Sequence, residues 1–228
     1  MNKRTYKKAV TFSYDDGIAQ DIRLVELFNR YGLKATFNLN TGIQSPESRF
    51  EINDVKIHRM EQEGLAKLYE GHEIALHGLT HASPSGTKPE EYEKEYLQDA
   101  KNIERLYGIY PVGAAYAYGD VPDSVVDYLQ TIGIRYARTV ESTHAFFLPE
   151  DPMRLAATCH HNDEQIFTLA HQFLEAEPDK PMLFYIWGHS YEFDVNNNWD
   201  RMEELCKLLS GRDDIFYGTN AQCLGFRE

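Results

Sequence analysis

Lys8-Ala9-Val10-Thr11-Phe12-Ser13-Tyr14-Asp15-Asp16-Gly17 decides how the rest of the chain is read. Its centre is β-branched and aromatic, as a half-buried or buried strand requires. Two carboxylates stop it. Gly71-His72-Glu73-Ile74-Ala75-Leu76-His77-Gly78-Leu79-Thr80-His81 has the same shape: a short apolar strand that ends in His77, with His81 four residues on. If the two strand ends lie side by side, one carboxylate and two imidazoles converge on a point. Neutral nitrogen with anionic oxygen suits Zn²⁺ with a coordination position open to water. The second carboxylate is then free to act as a base, and the parts amount to a hydrolytic metal site.

Outward from these strands, apolar runs alternate with helical periods. Ile22, Leu24, Val25, Leu27 and Phe28 mark a helix opening at Asp21 and closing at Gly32. Strands are expected at 34–39, 112–116, 134–137, 182–187 and 215–217, and helices at 61–70, 122–132, 199–209 and from Asn162 and Gln165 to about Ala176. Thr87-Lys88-Pro89-Glu90 has the form of a capping box and opens a long helix to Tyr107. Residues 41–60 carry no clear period and read as a long excursion that covers part of the site or forms a contact. Repeated β-α alternation implies parallel strands covered by helices. The expectation is an α/β fold, a distorted (β/α)-barrel of about seven parallel strands, in a single domain spanning 1–228. Active sites of such barrels lie at the C-terminal strand ends. Asp15 and Asp16 end the first strand, His77 the third, Tyr118 follows the fourth, and His189 the penultimate one. A doubly wound open sheet is the alternative, but the first strand lacks the glycine-rich phosphate turn of a dinucleotide site.

Composition narrows the function. The 228 residues, 42% hydrophobic and 13% aromatic, are enough for one domain with a real core. The 15 Tyr and 12 Phe suit core-edge packing first and a sugar-binding face second. A net charge of −13 argues against nucleic acid, and the only basic cluster is Lys3-Arg4 with Lys7-Lys8. Cys159, Cys206 and Cys223 are odd in number and lack a Cys-x-x-Cys pair, so free thiols in a reducing compartment are expected. No run has the length of a signal-peptide core or a membrane span. A cytoplasmic protein without nucleic-acid or membrane partners is the expectation, with oligomeric state open.

The chain resembles the polysaccharide deacetylase family, carbohydrate esterase family 4. Thr11-Phe12-Ser13-Tyr14-Asp15-Asp16-Gly17 matches its first motif, His77 to His81 its second, and the strand running into Gly188-His189 its fifth. Gly78 departs from the Ser or Thr usual after the first histidine. In the third motif Ala115 stands where an arginine that orients the base is usual, and Arg138 is a candidate substitute. The fourth motif has no clear counterpart, so the partner of His189 is open between Glu192 and Asp194.

The resemblance implies one divalent metal, Zn²⁺ with Co²⁺ or Ni²⁺ as alternatives, held by Asp16, His77 and His81. Asp15 is then the general base, His189 the acid, and the backbone N–H of Tyr118 the oxyanion donor. The implied reaction is removal of acetyl groups from a saccharide, N-acetylglucosamine-containing by default. The alternatives are an O-acetyl sugar esterase, a metal-dependent amidohydrolase on a non-sugar amide, and an inactive carbohydrate-binding protein on the same fold. Each piece alone has a plainer reading. Paired aspartates before glycine often form a turn, and His189 alone reads as a core histidine. Cys159-His160-His161 is set aside, because adjacent strand residues point to opposite faces and rarely share a ligand. Trp187 and Trp199 are candidates for sugar stacking or for core.

Overall fold

The computed structural model describes residues 6–226. In chain order the elements are β1 (Lys8–Asp15), α1 (Asp21–Tyr31), β2 (Ala35–Leu39), β3 (Arg49–Ile52), β4 (Val55–His58), α2 (Leu65–Leu68) and β5 (Glu73–Leu76). There follow α3 (Gln98–Tyr107), β6 (Gly113–Ala115), α4 (Asp123–Thr131), β7 (Tyr136–Ser142), β8 (Leu155–Ala157), β9 (Cys159–His160) and α5 (Ile166–Glu175). The last are β10 (Met182–Gly188), α6 (Glu192–Val195), α7 (Trp199–Leu209), β11 (Ile215–Tyr217) and α8 (Asn220–Cys223).

Among the described residues nine strands form one sheet in the order β8-β7-β6-β5-β2-β1-β10-β9, with β11 beside the first half of β1. Every pairing in it is parallel. Its two ends, β8 and β9, are consecutive in the chain and separated by Thr158 alone. Thr158 closes the seam: its N–H donates to Tyr185 O at 2.8 Å and its hydroxyl accepts the Tyr185 N–H at 3.1 Å. The sheet is thus a distorted barrel, as expected, with two strands more than the sequence pattern marks. Runs as short as β8 and β9 carry no readable period.

Alternation along β1 sets the two sides of the wall. Val10, Phe12 and Tyr14 face outward to the core shared with Phe28 of α1, Phe173 of α5 and Met202 of α7. Thr11, Ser13 and Asp15 face the barrel interior, where Thr11 donates to Asn220 (2.8 Å) and Ser13 accepts from Asn38 (2.9 Å). β10 repeats the pattern, with Phe184 and Ile186 outward and Leu183, Tyr185 and Trp187 inward. α8 plugs the N-terminal mouth: Ala221 N–H donates to Glu73 and Asn220 Nδ2 to the Tyr185 hydroxyl, at 2.9 and 2.7 Å. Opposite that plug the strand C-termini open to solvent.

Other expectations change. The helix expected over 61–70 shrinks to Leu65–Leu68, because Gly64 at its start has φ 88, outside the helical range. The capping box is shifted by one residue. Glu91 accepts the Lys88 N–H at 3.0 Å, and the Thr87 hydroxyl donates instead to Ser83 O. The long helix is broken into a short 3₁₀ turn, a π-helical segment Glu93–Leu97 and then α3. Residues 41–60 contain the β3–β4 hairpin, turned by Asn53 and Asp54 with φ 50 and 63. Of the basic N-terminal cluster, Lys3 and Arg4 lie outside the described residues; Lys8 is buried and paired with Asp214 at 2.7 Å. Cys159 and Cys206 are buried, Cys223 half-buried, and all three are free thiols. Among the described residues no helix is long and apolar enough to cross a membrane.

Candidate active site

Asp15 points into the barrel by the parity of β1, and Asp16 should point away. It does not, because its φ of 82 turns the backbone into the left-handed region. Both carboxylates therefore enter one cavity. Asp15 is bound from two sides: Asn38 Nδ2 donates to Oδ1 at 2.8 Å, and Arg138 Nη2 donates to Oδ2. Burial alone would raise the Asp15 carboxyl. The Arg138 guanidinium, then His77 and His189, outweigh it and hold the group well below the usual carboxylate range. Arg138 is fully buried and stacks 4.3 Å over Trp187. Its Cα pairs with that of Ala115 across β6 and β7. The arginine absent at 115 is thus supplied from the neighbouring strand at the same level.

His77 donates Nδ1–H to Ala115 O at 2.8 Å. That bond leaves Nε2 as a bare lone pair, and Nε2 is buried without a partner. His81 sits with φ 58, its ring 4.8 Å from that of His77 and its Nε2 3.6 Å from Asp16 Oδ1. Burial, then the neighbouring His77, push His81 down to about 4, so it is neutral and ligand-ready at neutral pH. The loop joining them hangs on Glu95 of the π-helical segment, which accepts Thr80 N–H at 3.0 Å, the Thr80 hydroxyl at 2.8 Å and Ala82 N–H at 3.3 Å. Gly78 has φ 83, and a Cβ there would come within 2.8 Å of Glu95 Oε1. Its departure from Ser or Thr follows from that contact.

Ligand atoms of Asp16, His77 and His81 lie within 4.8 Å of one another. An orphaned imidazole nitrogen, a second neutral imidazole and a carboxylate fit a divalent cation. Arg59 Nη2 holds the same carboxylate from outside, 3.0 Å from Oδ1.

His189 follows β10 and brings Nε2 to 3.8 Å from Asp15 Oδ2. Its Nδ1 lies 3.3 Å from Glu192 Oε1, so Glu192 is its partner. Asp194 is not, being taken by Trp199 Nε1 at 2.7 Å and Gln20 at 2.9 Å. Burial would lower His189, but the Glu192 hydrogen bond, then Asp15 and Asp16, raise it to about 9. It carries a proton at neutral pH.

The cavity holds about 390 Å³ and is walled by Phe50, Arg59, Tyr116, Tyr118, Val140, Trp187 and Tyr191 around the two aspartates and three histidines. Tyr118 takes φ 59 and sets its largely exposed ring edge-on to His81, centroids 4.7 Å apart. Trp199 is elsewhere, packed on Phe193 and Arg23. Phe50 and Arg59 come from the excursion. The signal that locates them is Asn53-Asp54 between Arg49-Phe50-Glu51-Ile52 and Val55-Lys56-Ile57-His58, a two-residue turn between alternating strands. His160 and His161 also belong to the surroundings of the site, both within 3.0 Å of Glu192. The alternation argument against them fails because β9 ends at His160, and their rings lie 4.5 Å apart.

Comparison with known proteins adds the family. The model described as polysaccharide deacetylase matches residues 2–137. Among curated proteins no sequence matches. A chitin deacetylase from Colletotrichum lindemuthianum shares the fold at TM-score 0.63 and 16% identity, over 98% of this chain and 90% of that one. A family 4 carbohydrate esterase from Streptomyces lividans aligns at TM-score 0.57 and 14% identity, over 94% and 92%. A Streptococcus pyogenes deacetylase solved with acetate aligns at 0.54 and 16%, over 60% of this chain and 58% of that one's length. At such identities the structural likeness is one of fold. The family match ends one residue before Arg138 and well before His189 and Glu192.

Proposed function

The chain belongs to the polysaccharide deacetylase family, and from that premise we propose that it hydrolyses an acetyl group on a saccharide, most directly an N-acetyl group of an N-acetylglucosamine-containing oligosaccharide. One observation carries the reading. The His189 imidazole, its pKa raised by Glu192, and the Asp15 carboxylate, its pKa held low by Arg138, face each other at 3.8 Å across the same cavity as the partnerless Nε2 of His77. An acid and a base held apart in charge state beside a cation site are what amide hydrolysis by water requires.

Asp16, His77 and His81 would hold the cation, which when bound would lower the pKa of a water and polarise the acyl carbonyl. Asp15, kept ionised by Arg138, takes the proton from the attacking water. Its low intrinsic basicity is matched to a water already acidified. Trp187 and Tyr116 wall the cavity and limit access of bulk water. By the family resemblance, the Tyr118 backbone N–H meets the developing oxyanion, in addition to the cation. His189 then passes its Nε2 proton to the leaving atom. For an amide that atom is nitrogen, and an amine anion is a very poor leaving group, so a resident protonated His189 favours N-deacetylation over O-deacetylation. The aromatic walls Phe50, Tyr118 and Tyr191 suit the apolar faces of a sugar ring.

The test is acetate release from N-acetylated chito-oligosaccharides by protein loaded with Zn²⁺, with metal content measured on the same sample. About one ion per chain with acetate release supports the reading. One ion without acetate from any acetylated sugar moves the substrate to non-sugar amides. No ion after reconstitution with Zn²⁺ or Co²⁺ defeats the ligand assignment.

A further inference from the structure

Behind His189 lies a second group of metal-type donors. The ligand atoms of His160, His161 and Glu192 are within 4.8 Å of one another. The group is either another cation site or a hydrogen-bonded array, and the protonation of His160 decides between them. The backbone N–H of Asn162 donates to His160 Nδ1 at 3.1 Å. That nitrogen therefore keeps its lone pair, and the ring proton sits on Nε2. A metal-bound imidazole is arranged the other way, its far nitrogen donating outward, as His77 does to Ala115.

His160 Nε2 is 3.0 Å and His161 Nε2 2.9 Å from Glu192 Oε2. Both nitrogens lie in contact with that one oxygen and fix where it can sit, the His161 N–H without the alignment of a hydrogen bond. The His161 ring is fixed in place. It is stacked between Tyr14 (centroids 5.6 Å, planes at 13°) and Phe193 (4.2 Å, 26°), and it lies against Gly188, where a Cβ would come within 2.1 Å of Nδ1. Asn162 Nδ2 brings a third donor to the same oxygen at 3.3 Å, and Asn198 orients that amide by donating to its Oδ1 at 2.9 Å. With Oε2 enclosed by these three groups, Oε1 is the oxygen that takes Nδ1–H of His189. Glu192 opens a helix of only four residues, α6, so its own backbone does little to hold a three-bond side chain in one rotamer.

We propose that His160 and His161 are positioning residues that act through Glu192, locking its carboxylate so that His189 is held by Nδ1 and turns Nε2 toward Asp15 and the reacting group. This rests on the proposed function only for its kinetic consequence; the array itself is a property of the folded chain.

The test uses three variants of the full chain. His161→Phe keeps the ring stack and removes the donor, His160→Phe removes the other, and His160→Gln retains an Nε donor. The first readout is ¹⁵N–¹H NMR of the metal-free protein, observing the side-chain Nδ1–H of His189. Wild type and His160→Gln are expected to show that proton bonded to a carboxylate and slow to exchange. His160→Phe and His161→Phe are expected to lose it, with Zn²⁺ still binding at one equivalent. The second readout is kinetics on the N-acetylated substrate, where kcat falls at unchanged KM. The expected fall is about 10- to 100-fold, up to the lower limit of what a positioned acid contributes, and His160→Gln restores most of it. If His161→Phe does not fold, His160→Phe, the more exposed ring, carries the test alone. A retained His189 signal with full kcat in the Phe variants overturns the proposal. So does a second Zn²⁺ equivalent that His160→Gln abolishes, since the group is then a cation site. An intact NMR response in a protein that releases no acetate defeats the deacetylase reading and leaves the positioning array standing.

Discussion

Two imidazole pairs flank the cavity, each beside a carboxylate: His77 and His81 with Asp16, His160 and His161 with Glu192. Their donor atoms are alike in type and spacing. Their hydrogen bonds are opposite. His77 gives its Nδ1 proton to the Ala115 carbonyl, which empties Nε2 toward the cavity. His160 receives the Asn162 N–H on Nδ1, which puts the proton on Nε2, 3.0 Å from Glu192 Oε2. The first set concentrates lone pairs and is completed by a cation. The second crowds ring nitrogens and an amide around an anion, with His161 Nε2 2.9 Å from it but not aligned as a hydrogen bond. Residue type does not separate the two; the backbone group that meets the far nitrogen does.

Removing a member of the first set should have the largest effect. His81→Ala or Asp16→Ala is expected to abolish stoichiometric Zn²⁺ binding, measured by calorimetry, and turnover with it. His160→Gln should leave one equivalent bound. Equal loss from both sets would erase the distinction. Next is Asp15→Asn, which removes the base but no ligand. One equivalent of metal should remain while kcat drops about 10²- to 10⁴-fold, the span of a positioned general base. Loss of metal in that variant would make Asp15 a ligand.

Arg138→Met sharpens the same comparison through stability. Asp15 is fully buried, and taking away its guanidinium leaves a charge uncompensated, at a cost of about 3–5 kcal/mol. The sign with pH follows from the depressed folded-state pKa. The ion pair contributes fully above the ordinary carboxylate pKa of about 3.9 and is lost as pH falls toward the depressed value. In the variant, burial raises Asp15, which then protonates more readily than in the parent. The stability gap between the two, read by urea unfolding, is expected to be widest at neutral pH and to narrow toward pH 4. A gap independent of pH would mean that lost stacking on Trp187, not lost charge compensation, is the cause.

Much of this was legible in the chain. β1, β5 and β10 are continuous apolar runs, and a parallel barrel collects their C-terminal residues at one mouth, so Asp15, Asp16, His77 and His189 could be placed together from strand order alone. Arg138 was legible only as a candidate, because it reaches Asp15 through cross-strand register with Ala115, which no linear spacing encodes. Two things were not legible. β8 and β9 have too few residues to show a period. His160 and His161 share a carboxylate because β9 ends between them, and strand ends are what a pattern locates worst. The Glu192–His189 pair is the intermediate case: three residues apart, and near enough in sequence to be one of two candidates.

Gly78 offers the smallest test and concerns how each set is held. The loop between His77 and His81 is shaped by backbone, with φ 83 at Gly78 and φ 58 at His81, and is tied down by Glu95. His160 and His161 need no such strain, since neither takes a positive φ among the described residues. Gly78→Ser places a Cβ 2.8 Å from Glu95 Oε1 and holds a non-glycine residue in the left-handed region. The expected cost is about 1–3 kcal/mol of stability. Zn²⁺ affinity should weaken because His81 moves with the loop, while the His189 Nδ1–H signal stays. Pairing Gly78→Ser with Glu95→Gln separates the two causes. If the clash with Glu95 dominates, the pair recovers little, because the amide is as large as the carboxylate. If what matters is the charge brought against a new hydroxyl, the pair recovers most of the loss. Unchanged metal affinity in Gly78→Ser would show that the His81 ligand position does not depend on this loop, and the contrast between a backbone-shaped and a strand-end-shaped set would lapse.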